Sequence, residues 1–315
     1  MQNNYYNPVK LIEHVRDGLV EQEHSGFVVL KLGSEELDIG DSLNYPFYLR
    51  SCAKPLQAAI MIDETLDVKL GLTSEEIAIA CASHAGEKCH VDAAKSFLAK
   101  TGIDESFIKC GFHKPLAKSV KFDKDSVFYN NCVGKHIMML ALSEHFGFSL
   151  ENYYEKTHPL QLLIKKKVYE LCEYDGDTPV TTDGCGVPIF SMPLKNMLTG
   201  FLNLFCNEKY SKIKNAFLHN PYIIGGEDRL DTKVMQNSPM CTAKVGAGGI
   251  CIVVNTLTSD GFIVKMLDAD MNAREFVVLN LLKQLGWSNI EIDNSIKTLH
   301  NQIVGKKEFL FDLYE

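Results

Sequence analysis

The sequence predicts a mixed α/β (α+β) fold, with one antiparallel sheet built from both chain ends and a helical subdomain inserted between them. Residues 1–50 and the chain after Pro221 carry short extended runs, whereas residues 51–220 show mainly helical spacing of apolar side chains. Strands and helices do not alternate, which disfavours a doubly wound parallel sheet. We therefore expect one domain, with a sheet subdomain of about 1–50 plus 221–315, a helical subdomain of about 51–220, and a cleft between them.

The first fifty residues are expected to be mostly extended. Runs 9–15 and 19–23 flank Asp17-Gly18, a typical hairpin turn, and residues 26–32 are rich in β-branched side chains. The apolar run 47–49 then leads to Ser51, after which the apolar period becomes helical. Ser51 is therefore predicted at a strand–turn–helix junction.

Helices dominate the middle of the chain, and strands return near its end. Thr73-Ser74-Glu75-Glu76 is a capping box that opens a helix over 77–81, and a helix over 87–100 closes at Gly102. Further helices are predicted at 134–146, 159–173, 193–206 and 211–218. The last elements are predicted to be strands at 243–245, 250–255 and 262–267, followed by helices at about 273–286 and 290–300.

Composition and charge exclude several classes of partner. The net charge of −8 argues against a nucleic acid or an anionic membrane, both of which favour a basic surface. No apolar run reaches transmembrane length, and residues 1–6 lack the basic and apolar pattern of a leader peptide. Most of the ten cysteines lie in apolar stretches, as reduced core thiols do. We expect a cytoplasmic protein.

Ser51 and Lys54 form a candidate nucleophile and base. They are three residues apart, so a helix places them on neighbouring positions of one face. An amine half buried beside apolar groups can lose its charge and accept a proton from a hydroxyl. Spacing alone is weak evidence, because Ser-x-x-Lys recurs in charged or amphipathic stretches at Ser106/Lys109 and Ser211/Lys214, where a solvated surface is the simpler interpretation.

Two further stretches could face the cleft. Lys244-Val245-Gly246 opens a glycine-rich run, and glycines let a strand approach a ligand closely. An early Ser-x-x-Lys followed by a late Lys-x-Gly is the order found in penicillin-recognising serine enzymes. The alternative for Lys244 is an exposed strand lysine. Ser83 or His84 could also project from the break within residues 81–90, which is otherwise an ordinary link between helices.

Cys132 and Cys185 differ from the other cysteines because both lie in glycine-containing loops. This suggests a paired role, either metal ligation or a disulfide. Asn131 precedes a helix whose free N–H groups could hold an anion, or it simply caps that helix. A zinc pattern of Cys110/His113 with Cys132/His136 has spacings that fit no common site.

Six motifs occur in register along the chain: Arg50-Ser51-x-x-Lys54-Pro55-x-Gln57-Ala58, Ala82-Ser83-His84 with Gly86-Glu87 and His90, Asn130-Asn131-Cys132-x-Gly134-Lys135-His136, Asp183-Gly184-Cys185-Gly186-x-Pro188, Gly225-Gly226 with Asp231-Thr232, and Lys244-x-Gly246-Ala247. Together they resemble the L-asparaginase II family of the Rhizobium etli inducible type, over about residues 16–285. The resemblance implies a fold similar to that of serine β-lactamases and penicillin-binding proteins.

The resemblance also implies the site residues and the reaction. It implies two Ser-Lys pairs, Ser51/Lys54 and Ser83/Lys244, with Ser51 as the nucleophile. It implies a zinc ion held by Cys132, Lys135 and Cys185, and substrate binding by Arg50, His136 and Asp183. The implied reaction is hydrolysis of L-asparagine to L-aspartate and ammonia by a homodimer. Two alternatives stay open, namely the same fold acting on glutamine, a lactam or a peptide, and a non-catalytic metal- or ligand-binding relative.

Three departures from the family pattern bear on rate and selectivity. Val133 replaces the usual serine before Gly134, and Gly248 replaces the usual glutamate after Gly246-Ala247. Asp268-Ala269-Asp270 alters an Asp-Gly of the family. The implied catalytic and ligand positions are retained, so we expect an active enzyme.

Overall fold

An eight-stranded antiparallel sheet is assembled from the two ends of the chain. The computed structural model describes residues 6–42, 45–122 and 124–313. The strands in chain order are β1 (Val9–Arg16), β2 (Leu19–Leu32), β3 (Glu35–Ile39), β4 (Phe47–Tyr48), β5 (Thr181–Thr182), β6 (Pro188–Ile189), β7 (Ser191–Met192), β8 (Cys241–Gly246), β9 (Ile250–Asn255), β10 (Asp260–Met266), β11 (Ser295–Lys297) and β12 (Ile303–Phe309). The large sheet runs β11-β12-β1-β2-β10-β9-β8, with β3 also paired to β2.

The helices lie mainly between the two groups of sheet strands. In chain order they are α1 (Ala53–Asp63), α2 (Leu66–Lys69), α3 (Ser74–Cys81), α4 (Lys88–Thr101), α5 (Val133–His145), α6 (Pro159–Leu171), α7 (Leu194–Phe205), α8 (Ser211–His219), α9 (Pro221–Ile224), α10 (Leu230–Asn237) and α11 (Met271–Gln284). The predicted antiparallel sheet with an inserted helical block is thus confirmed. None of the described helices is both long and apolar enough to cross a membrane.

Most local signals in the sequence describe the structure well. The hairpin turn is present at Asp17 and Gly18, both with positive φ, at 45° and 83°. Thr73 and Glu76 form the predicted capping box, and Gly102 ends α4 in the left-handed conformation. The two strands predicted at 19–23 and 26–32 are one continuous strand, β2, which pairs first with β1 and then with β10 and β3.

The predicted helix at 290–300 is wrong. This stretch contains the short strand β11 and leads into β12, which pairs with the edge of β1. The stretch has isoleucines whose positions differ by two and four, Ile290, Ile292 and Ile296, and such even spacing suits a strand. β12 supplies the hydrogen-bond partners of β11, and the edge of β1 supplies those on the other side of β12.

Helices cover the sheet on both faces. Successive strand residues point to opposite faces. At Gly261 of β10 an added Cβ would lie 3.0 Å from Leu198 of α7, whereas the next residue, Phe262, stacks on Trp287 just after α11 at 5.9 Å. This explains why β8 and β9 are buried along their whole length.

The leader prediction rests on residues 1–6, of which residues 1–5 lie outside the described part of the chain.

We expect Gly134→Ala to destabilise the protein, because α5 crosses α3 at this glycine. An added Cβ would lie well inside van der Waals contact of the Ile79 carbonyl oxygen, which is backbone and cannot swing away. Overpacking of this kind costs about 1–3 kcal/mol or more. Gly184→Ala is the control, since no atom lies within 4 Å of its Cβ position. Urea unfolding measures both, and equal midpoints for the two variants would contradict the expectation.

Candidate active site

Ser51 lies where the chain passes from a short strand into a helix. β4 pairs with β7, and Leu49 N–H donates to Phe190 O at 3.0 Å, which fixes the entry. A 3₁₀ turn, Arg50–Cys52, then leads directly into α1. Arg50 has a positive φ of 49°, a strained conformation for a non-glycine residue that is often found at functional sites. Ser51 is half-buried.

Lys54 is fully buried and is surrounded by neutral acceptors. Its Nζ donates to Ala82 O at 2.6 Å, to Asn131 O at 2.7 Å and to Ser83 Oγ at 3.0 Å. Burial lowers the pKa of Lys54 to about 8; the charges of Lys135 and Lys244 act in the same direction, and the Cys132 thiolate acts against them. A neutral amine in contact with a hydroxyl is therefore accessible near neutral pH.

The structure pairs Lys54 with Ser83, whereas the resemblance implied the pairs Ser51/Lys54 and Ser83/Lys244. Ser83 is 2 % exposed and follows the end of α3, where Ala82 adopts an extended conformation. The Ser83 N–H donates to Ile224 O at 3.0 Å, so its backbone is held as well. The His84 side chain lies against His90 instead, and the two rings stack with centroids 5.0 Å apart.

Lys244 is a buried residue of β8, not an exposed strand lysine. Its Nζ donates to Val245 O at 2.9 Å and forms an ion pair with Asp231 Oδ2 at 3.4 Å. Lys244 and Asp231 are each 0 % exposed. Asp231 was part of a recognised motif, yet sequence reasoning assigned it no role, because only the fold brings α10 beside β8.

Cys132, Lys135 and Cys185 meet in one buried spot. Cys132 immediately precedes α5, Lys135 lies in its first turn, and Cys185 lies in the loop between β5 and β6. A hydrogen bond from the Cys185 thiol, together with the charges of Lys54 and Lys135, holds the pKa of Cys132 well below its usual value despite burial. Burial acts to lower the pKa of Lys135, but the two cysteines and Asp183 raise it above its usual value. The result is a buried thiolate–ammonium cluster of free cysteines.

The donors of this cluster suit zinc by their chemistry. Among the residues that the structure describes, no three His, Cys, Asp or Glu side chains are placed to hold a metal ion. The predicted set differs because its third donor is a lysine amine. Two soft thiolates and a nitrogen donor are typical zinc ligands, provided that Lys135 and Cys185 release their protons. The Cys110/His113 pattern does not form such a site, since Cys110 Sγ and His113 Nδ1 both contact backbone oxygens.

Arg50 and Asp183 form a pair of opposite charges beside this cluster. Arg50 Nε and Nη2 lie 3.2 and 3.1 Å from Asp183 Oδ1, and Lys135 Nζ lies 3.9 Å from Oδ2. Burial acts to raise the pKa of Asp183, but Lys135, the Gly184 N–H and Arg50 hold it below its ordinary value. Arg50 is half-exposed, so the pair can present one positive and one negative group to a ligand.

His136 carries a buried nitrogen without a partner. Tyr153 Oη accepts from Lys109 N–H at 3.0 Å, so its hydrogen is free to donate to His136 Nδ1 at 2.6 Å. We infer from this network that Nε2 bears the hydrogen, and Nε2 has no acceptor within the described residues. Burial, with help from Lys135 and Lys54, holds the pKa of His136 well below its ordinary value. A neutral N–H donor is therefore available beside Lys135.

The three departures from the family pattern fall at sites of different kinds. Val133 is fully buried in the first turn of α5. Gly248 lies in the β8–β9 turn with a positive φ of 78° and open space around it. Asp268 Oδ2 lies 2.5 Å from Nδ1 of the buried His24. Only Val133 adjoins the cysteine cluster.

Comparison with solved structures gives distant likenesses to β-lactamases. A class C β-lactamase in complex with cefoxitin matches at 10 % identity and a TM-score of 0.42, covering 82 % of this chain and 92 % of that one. A β-lactamase from Mycobacterium bovis matches at 12 % identity and a TM-score of 0.45, covering 82 % and 94 %. Likenesses at this level carry no inference about the activity of this chain.

Sequence comparison gives the family. No curated protein matches the chain significantly. The family model for L-asparaginase II matches residues 12–309, which is nearly the whole sequence. The match spans the junction at Ser51, the cysteine cluster and Lys244. The chain therefore belongs to the L-asparaginase II family of amide hydrolases.

Proposed function

We propose that the protein hydrolyses the side-chain amide of L-asparagine to L-aspartate and ammonia by serine–lysine catalysis. The observation that carries this proposal is the Lys54 amine, which is fully buried, contacts a serine hydroxyl at 3.0 Å, and lies one helical turn after the half-buried Ser51. Membership of the family supports the amide as the bond that is broken.

The two serines are proposed to have different tasks because their burial differs. An attacking hydroxyl must reach the substrate, and Ser51 is the more accessible of the two, while Ser83 is 2 % exposed and contacts Lys54. We assign Ser51 as the nucleophile and Lys54 as the base. Ser83 is assigned as the hydroxyl that passes a proton between Lys54 and the departing nitrogen.

The proposed reaction has two halves. Ser51 Oγ bonds to the amide carbon while its proton moves to neutral Lys54. The C–N bond then breaks, and the proton of Lys54 reaches the leaving nitrogen through Ser83, which releases ammonia. Water next attacks the acyl group and gives a proton to Lys54, and Lys54 passes that proton to Ser51 Oγ as the Ser51–acyl bond breaks and aspartate is released. Backbone N–H groups at the start of α1 are suited to stabilise the oxyanion.

The charges around the cleft match the two ends of an amino acid. Arg50 suits the α-carboxylate, and the buried carboxylate of Asp183 suits the α-ammonium. The Nε2–H of His136 can donate to a substrate oxygen. Cys132, Lys135 and Cys185 would hold zinc here, and the bound ion would supply a Lewis-acid contact for the substrate carboxylate or amine.

An assay of ammonia release tests the proposed function directly. Purified protein is incubated with L-asparagine, with L-glutamine, and separately with a chromogenic lactam whose opening is followed by absorbance. We expect turnover of asparagine well above that of the other two. Preference for glutamine or the lactam would reassign the substrate, and turnover of none would favour a binding protein.

We expect Ser51→Ala and Lys54→Met each to lower kcat by roughly a thousandfold or more, the effect of losing a nucleophile or its base. Ser106→Ala and Ser211→Ala are matched controls, because each serine stands in the same Ser-x-x-Lys pattern away from the cleft. Circular dichroism verifies that all four variants are folded. Near wild-type turnover of Ser51→Ala would remove Ser51 as the nucleophile.

Activity should rise with pH through the ionisation of Lys54. The base works only when neutral, and the pKa of Lys54 is lowered to about 8. We therefore expect kcat/KM to increase up to about pH 8 and to level off above it. A profile that is flat from pH 6 to pH 10, measured by ammonia release, would contradict a lysine base.

We expect about one zinc per chain in protein purified without chelator, measured by elemental analysis. Cys132→Ser and Cys185→Ser should lose the metal and raise KM more than they lower kcat, because the ion binds substrate while Ser51 carries out the covalent step. Cys206→Ser, at the half-buried end of α7, is the control. Absence of metal together with an unchanged KM in both variants would leave the serine chemistry without zinc.

A further inference from the structure

The Gly225-Gly226 turn and the Asp231-Thr232 pair have no part in the chemistry described above, yet they lie directly behind it. The Ile224 carbonyl, at the start of this turn, accepts from the Ser83 N–H at 3.0 Å. Asp231, in the first turn of α10, reaches Lys244 on β8. One compact turn therefore contacts the backbone of Ser83 on one side and the partner of Lys244 on the other.

Close backbone packing locks the turn against α10. An added Cβ at Gly225 would lie 2.5 Å from Asp231 Oδ1 and 2.6 Å from Thr232 Oγ1, so any larger residue would displace the carboxylate. Thr232 Oγ1 accepts from Gly226 N–H at 3.0 Å and donates to Pro221 O at 3.1 Å. The segment that contains Ile224 therefore also holds Asp231 in place.

Asp231 supplies the negative charge in the surroundings of Lys244. The titratable groups that face Lys244 come from four other elements: Cys52 and Lys54 at the start of α1, Cys81 of α3, Cys251 of β9 and Asp231 of α10. Of these, Asp231 is the carboxylate and Lys54 is a second amine. A buried cation without a counter-charge is strongly destabilised, and Asp231 supplies that counter-charge to the buried Lys244 side chain.

We propose that Asp231 is a positioning residue of the active site, whose buried carboxylate holds the Lys244 side chain in place beside Lys54. Two lysines in one cleft then have separate tasks. Lys54, whose contacts are neutral, exchanges the proton with the serines. Lys244, anchored by its ion pair with Asp231, contributes positive charge at a fixed position. This inference rests on the proposed function and extends it to the support of the site.

A double-mutant cycle tests whether Asp231 acts through Lys244. Asp231→Asn keeps the shape of the side chain and removes its charge, and Lys244→Met removes the ammonium. We expect Asp231→Asn to lower kcat tenfold or more with KM changed less than about threefold, and Lys244→Met to lower kcat at least as much. The double variant should resemble Lys244→Met alone, because residues that act as a unit are not additive. The proposal would be overturned if the losses in kcat of the two single variants multiplied in the double variant, or if kcat were unchanged in Asp231→Asn.

Thermal unfolding gives a second cycle that does not depend on activity. Each single variant leaves one buried charged group without its partner, whereas the double variant removes both charges. We expect both single variants to have a lower Tm than wild type and the double variant to have a higher Tm than either single variant. A double variant that is less stable than both single variants would show that the two side chains do not stabilise each other.

Asp67→Asn is the matched control. Asp67 is 4 % exposed and also forms an ion pair, with Lys212, in the helical part of the protein. This variant should lower Tm and leave kcat unchanged, which separates loss of the charge of a buried, ion-paired carboxylate from loss of function. Wild-type protein is assayed first with asparagine. If wild type releases no ammonia, the proposed function fails, and the unfolding cycle alone decides whether Asp231 holds Lys244.

Discussion

The active site depends on the burial of the Lys54 amine away from water. Its three acceptors come from separate places: Ala82 O and Ser83 Oγ follow α3, and Asn131 O precedes α5. The two carbonyl oxygens accept hydrogen bonds from the amine but carry no negative charge that would hold its proton. Burial can therefore lower the pKa of the amine. These three hydrogen bonds do not exist in the unfolded chain. The environment of the proposed base is therefore a product of packing between α1, α3 and α5, and the close approach at Gly134 is part of that packing.

The other charged groups of the cleft are arranged so that each buried charge has an opposite neighbour. Lys135 lies between the cysteine pair and Asp183, Asp183 also binds Arg50, and Lys244 binds Asp231. Lys54 differs in having neutral partners. This contrast explains why burial lowers the pKa of Lys54, whereas the charges around Lys135 raise the pKa of that lysine.

Local patterns in the sequence were sufficient for much of the fold. The hairpin at Asp17-Gly18, the capping box at Thr73 and the helix after Ser51 each depend on neighbouring residues, and all are present. The helix predicted at 290–300 is wrong because this stretch contains β11, which pairs with β12, and β12 in turn pairs with β1 from the other end of the chain. The pairing of Lys54 with Ser83, 29 residues apart, and the contact of Asp231 with Lys244 depend on tertiary packing in the same way. Motifs could identify these residues but not their partners.

The order of strands in the sheet has a consequence for biosynthesis. The first hairpin, β1 and β2, lies in the interior of the sheet, between β12 and β10, both of which come from the last fifth of the chain. Because β10 and β12 are translated long after β1 and β2, the outer edges of the hairpin are covered late, and β3 is the early partner of β2. The apolar residues Phe27 to Leu30 of β2 are buried in the folded protein and reach their full burial only once β10 has been made. The large sheet can therefore be completed only after β10 and β12 have been translated.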